Sequence, residues 1–102
     1  MKFDHAALVS NDIDVSIRWY EDRFNAEVLY RDETWGLIRL FDLKLSFVKR
    51  GCHPPHLGFE VDQPFIDDVL MTEKFKSHRD GSRSCYVSDP DGNCIEFLKW
   101  DR

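Results

Sequence analysis

Three residues of this 102-residue chain carry the chemistry of metal ligands: His5, His56 and Glu96. Two imidazoles and one carboxylate make a facial donor set that leaves coordination positions open. Open positions are what turnover needs, because substrate or water must reach the ion. The expected cofactor is therefore a divalent metal ion. Mn²⁺, Fe²⁺, Zn²⁺ and Ni²⁺ all suit such donors, and residue types do not choose among them. Taken singly, a strand histidine is more often an ordinary hydrogen-bonded residue, and a strand glutamate usually faces solvent. Their joint placement points to a metal.

The elements that must position them are readable from pattern. Lys2 to Val9 is apolar enough for a strand and carries His5. Asn11 and Asp12 end it and can cap a helix from Asp14 to Phe24. Val15, Trp19 and Phe24, with Ile17 and Tyr20, give that helix its apolar face. Strands are expected over 26–31, 34–41 and 43–49. After the linker Arg50-Gly51-Cys52-His53-Pro54-Pro55, which can extend neither ladder nor helix, a strand over 56–61 opens on His56. A helix over 64–74 follows, with proline in its first turn. A poor strand over 75–79, a strand over 83–88, the turn Asp89-Pro90-Asp91-Gly92 and a closing strand over 93–100 complete the chain. Glu96 lies on that last strand.

FDHAALVSNDIDVSIRWYEDRF and PPHLGFEVDQPFIDDVLMTEKF share this order, with His5 aligned on His56. The plan is α+β: two βαβββ modules, 1–50 and 54–102, in one domain. Alternation puts His5 on a strand face with Phe3 and Ala7, His56 with Gly58 and Glu60, and Glu96 with Cys94 and Leu98. Small Ala7 and Gly58 leave room beside an ion. Arg39, Phe47 and Arg83 are candidate substrate-binding residues, with Trp35 and Trp100 as further wall. Arginine suits an anionic substrate. His53, in the linker, and His78, in a loop, are expected to be solvated.

Net charge is −5 and no basic stripe is present, which argues against nucleic acid as a partner. No apolar run reaches the length of a membrane span. Three cysteines without framework spacing suit reduced thiols and a cytoplasmic location. Cys85 and Cys94 read as small buried hydrophobes.

The segments HAALVSNDIDVSIRWYEDRF, HLGFEVDQ and SCYVSDPDGNCIEFLKW resemble the vicinal oxygen chelate superfamily along essentially the whole chain. That group includes glyoxalase I, extradiol dioxygenases, fosfomycin-resistance transferases, methylmalonyl-CoA epimerase and bleomycin-binding proteins. The resemblance implies a glyoxalase-like fold of paired modules and assigns the ligand roles to His5, His56 and Glu96. The fourth family position falls on Ser46, a poor ligand that cannot act as a base. This departs from glyoxalase I and the epimerase. The set is similar to that of extradiol dioxygenases and fosfomycin transferases, although the former are longer chains and the latter keep a threonine where Ala7 stands. Tyr86 falls where those transferases have a tyrosine near substrate, which implies a catalytic role. The expected function is metal-dependent chemistry of lyase, dioxygenase or transferase type on a small oxygen-chelating substrate. The alternative is non-catalytic sequestration of a small ligand, as in bleomycin-binding relatives. A homodimer, with modules exchanged between subunits in some relatives, is the expected assembly.

Overall fold

The computed structural model describes residues 1–100; Asp101 and Arg102, the last two of the expected second module, lie outside the described residues. The chain is α+β, with two helices and eight strands of a mixed sheet. In order these are β1 (Lys2–Ser10), α1 (Ile13–Phe24), β2 (Glu27–Arg31), β3 (Trp35–Leu40), β4 (Leu43–Lys49), β5 (His56–Glu60), α2 (Gln63–Val69), β6 (Lys76–Ser77), β7 (Ser82–Ser88) and β8 (Cys94–Trp100). No helix among the described residues is long and apolar enough to cross a membrane. The chain divides into two compact units, His5–His56 and Met1–Asp4 with Leu57–Arg102.

In the unit His5–His56 the strand order is β2-β3-β4-β1. β4 runs parallel to β1, with Ala7 opposite Ser46, and antiparallel to β3, with Leu37 opposite Ser46. The Asp12 carboxylate accepts from the Val15 amide and starts α1. Asn25 ends it in the left-handed conformation, its N–H returning to the Glu21 carbonyl. The buried stripe of α1 is Ile13, Ile17 and partly Tyr20, spaced i, i+4, i+7. It packs on Ile38, Phe47, Val28 and Leu45. The expected face was thus right at Ile17 and Tyr20 but not elsewhere: Val15 is 63% exposed, and Trp19 and Phe24 lie at the surface. Trp19 instead makes an edge contact with Phe24 and lies under the Arg23 guanidinium, 4.9 Å away. The two-residue turn between β3 and β4 holds Phe41 at φ 57 with its ring 78% exposed.

In the second unit the order is β5-β8-β7-β6. A run of aromatic contacts, Phe3–Phe59–Phe97–Phe65, ties β1, β5, β8 and α2 together. α2 is capped by Asp62 but stops at Val69, five residues short of the expected end. Its last turn holds Asp67 and Asp68 and no basic residue, so acid faces the negative end of the helix dipole. β6 is two residues long, shorter than the strand expected over 75–79.

Gly36 is where α1 meets the sheet. A Cβ there would lie 2.6 Å from Ile17 Cδ1 and 3.0 Å from Ile13 Cγ2. Gly36→Ala is expected to destabilise the protein by about 1–3 kcal/mol in urea titrations. Ile17→Val removes the clashing methyl, so the double variant should lose less than the sum of the two single losses.

Candidate functional site

His5 stands on β1 and His56 opens β5. Their Nε2 atoms are 3.2 Å apart and their rings meet edge to face, at 85°. The far nitrogen of His56, Nδ1, lies 3.0 Å from the Pro54 carbonyl. A carbonyl only accepts, so Nδ1 carries the proton and donates it. That choice leaves a lone pair on His56 Nε2, the atom facing His5. Imidazoles that bind metals are commonly oriented by such a second hydrogen bond. Two prolines in succession give the linker fixed φ angles, which helps to hold this carbonyl in place.

Sheet register assigns faces in this unit. Ala7 and Ser46 are Cα partners, so Ser46 shares the face of His5 and Ala7. Ala7 is 2% exposed and Ser46 6% exposed. Arg39, two residues from Leu37 on β3, belongs to the same face and is exposed. Phe47 belongs to the other face: it is 2% exposed in the core under α1, against Tyr20. The substrate-binding assignment of Phe47 is corrected accordingly, because one step along a strand reverses the face.

Glu96 lies partly buried on β8, directly opposite Tyr86 of β7. Burial, then the charge of Glu96 and a hydrogen bond to it, push the Tyr86 phenol well above its ordinary value. The hydroxyl is thus a protonated donor to the carboxylate. The ring remains 49% exposed. Trp100 falls on the Glu96 face by alternation. Arg83 does not share the Tyr86 face, and its Nη2 lies 3.5 Å from Gln63 Oε1 on α2. His5 and His56 thus meet within one unit, while Glu96 belongs to β8 of the other.

Of the rival histidines, His53 is exposed as expected. His78 is more engaged than its loop setting suggested. Its Nε2 lies 2.7 Å from the hydroxyl of buried Ser84. Pairing of β6 with β7 creates that contact, and so short a strand leaves little signal in the sequence. Cys85 is buried, Cys94 partly buried and Cys52 exposed. Burial, then the charges of Glu73 and Glu96, push the Cys85 thiol up to about 11.

The register that sets Tyr86 against Glu96 originates in the turn between β7 and β8. Asp89 Oδ1 accepts from the backbone of Asp91 and Asn93, and Oδ2 from the Asn93 amide. Gly92 takes the positive φ, 86°, that closes the turn.

No family model matches the chain, and no curated protein matches it. Solved structures do. A glyoxalase/bleomycin resistance protein/dioxygenase superfamily member from Vibrio splendidus is 19% identical with a TM-score of 0.67, covering 93% of this chain and 96% of that one. Methylmalonyl-CoA epimerase from Mycobacterium tuberculosis is 14% identical with a TM-score of 0.73, covering 99% and 89%. Homoprotocatechuate 2,3-dioxygenase from Brevibacterium fuscum is 22% identical with a TM-score of 0.72. That match covers 98% of this chain and 36% of the dioxygenase. At these identities the likeness establishes the fold alone, which this chain shares with the glyoxalase/bleomycin resistance protein/dioxygenase superfamily member.

The Asn93 side-chain and backbone hydrogen bonds hold the Asp89 carboxyl below its ordinary value of 3.8. A depressed carboxyl contributes stability above its unfolded pKa and loses it as pH falls through the folded one. Asp89→Ala should therefore melt lower than wild type at neutral pH. The gap should shrink as pH is taken below the carboxylate range in thermal melts.

Proposed function

We propose that the protein is a divalent-metal-dependent enzyme with His5, His56 and Glu96 as ligands, acting on a small substrate that chelates through two oxygens. The observation that carries this reading is the meeting of two imidazole Nε2 atoms, one oriented by the Pro54 carbonyl. Donors on one ion, at bonds of roughly 2.0–2.2 Å, stand roughly 3 Å apart. The histidine nitrogens already have that separation, so the residues fit the group. The superfamily fold agrees, and a metal-binding role is in keeping with the dioxygenase neighbours.

A bound ion would supply a Lewis acid whose open positions take substrate oxygens and stabilise developing negative charge. The other roles belong to side chains. Arg39, exposed on the His5 face, suits a bidentate grip on an anionic group of the substrate. Tyr86 holds a proton on Oη beside Glu96. Ser46, where a carboxylate would otherwise stand, can hydrogen-bond but cannot remove a proton from carbon. This favours chemistry of dioxygenase or transferase type over proton abstraction by a base on β4.

The reading includes a homodimer. Its support is apolar surface: Val15, Trp19 and Phe24 on α1, and Val69 and Met71 at the end of α2, are all exposed. Sedimentation at micromolar concentration should give a dimer; a monomer would remove this part of the reading.

Elemental analysis tests the metal centre. Wild type is expected to hold about one ion per chain, and His5→Ala and Glu96→Ala to lose it while staying folded by circular dichroism. A wild type that stays metal-free after incubation with Mn²⁺, Fe²⁺, Zn²⁺ or Ni²⁺ would sink the enzyme reading. Non-catalytic capture of a small ligand would then take its place.

A further inference from the structure

Tyr86 and Glu96 are Cα partners in the β7–β8 ladder. The Asp89 amide donates to the Asn93 carbonyl next to the turn. Antiparallel pairs alternate between hydrogen-bonded and non-hydrogen-bonded positions. Counting from Asp89–Asn93, the pair Tyr86–Glu96 falls at a non-hydrogen-bonded position. Opposite Cα atoms are then only about 4.5 Å apart and side chains are at their closest. A phenol hydroxyl can donate and a carboxylate accept, so the two side chains at this register are a matched pair.

A carboxylate has two oxygens and a freely turning terminal torsion. A ligand of that kind needs something to choose its orientation before the ion arrives. His56 has such a partner in the Pro54 carbonyl. We propose that Tyr86 plays the corresponding part for Glu96: its hydroxyl engages one carboxylate oxygen and thereby leaves the other for the ion. Tyr86 is on this account a positioning residue of the metal centre, in addition to any contact its exposed ring makes with substrate. The inference rests on the metal-centre reading above and goes beyond it, because it concerns the outer partner of a ligand. It also explains why a bulky aromatic stands half exposed on this face of β7. A phenylalanine would fill the same volume, and only the hydroxyl reaches the carboxylate with a donor.

Tyr86→Phe deletes that donor and little else. Zn²⁺ affinity, measured by competition with a chromophoric chelator, is expected to fall roughly 10- to 100-fold. The visible absorption bands of the Co²⁺-loaded protein should shift, since the carboxylate no longer has a fixed orientation. Combined with Glu96→Gln, the tyrosine change should cost little more, because both act on one interaction. Wild-type affinity and an unshifted Co²⁺ spectrum in a folded Tyr86→Phe protein would overturn the inference while leaving the metal centre standing. A wild type that binds neither ion would overturn both. A second measurement needs no variant: the Tyr86 ring resonances of wild type should move on Zn²⁺ addition, and unmoved resonances count against the proposal.

Discussion

Two imidazole nitrogens held 3.2 Å apart can share a proton in a hydrogen bond or turn two lone pairs to one cation. Much of the surrounding architecture can be understood as maintaining that separation. β1 carries His5 and is anchored in parallel to β4. The linker delivers His56 with its outer nitrogen already hydrogen-bonded to Pro54. α1 covers the far face of the same strands through Ile13 and Ile17, which pack closely over Gly36 of β3. On β8, the Asp89–Asn93 turn fixes the register that places a hydroxyl opposite Glu96.

The division of labour between the two faces follows from strand periodicity. In the unit His5–His56, one face gives Ile38, Leu45 and Phe47 to the core, and the other gives His5, Ala7, Ser46 and Arg39. Apolar packing and the His5 side chain are thereby kept on opposite sides of these strands. A substitution at Phe47 is a matter of stability, whereas one at neighbouring Ser46 is a matter of the site. Adjacent positions in sequence have unrelated consequences because their side chains leave the backbone in opposite directions.

Legibility in the sequence tracks this geometry. The order of strands and helices was readable because alternation, the Asp12 cap and the DPDGN turn are local signals. The three ligand-type residues stood out by chemistry and by position on their strands, and two of them, His5 and His56, meet within one unit. Phe47 went to the core because an aromatic looks the same from sequence whichever face it takes. The face of α1 was misjudged in part for a related reason: Trp19 and Phe24 were counted in it and Ile13 was not, while Ile13, Ile17 and Tyr20 have the right phase. α2 ended early where its own aspartates oppose the helix dipole. The partners that orient the ligands, Pro54 and Tyr86, depend on side-chain geometry and register. Pattern alone does not reveal what they do.

Cysteine placement has a practical consequence. Cys85 is buried in the sheet and Cys94 half covered, whereas Cys52 is exposed in the linker, two residues before Pro54. A bulky maleimide dye offered under mild conditions has one accessible thiol to react with. That thiol sits on the same short loop whose carbonyl orients His56. A fluorophore attached there would watch the loop directly. It would turn occupancy of the neighbouring site into an optical signal without any engineered residue.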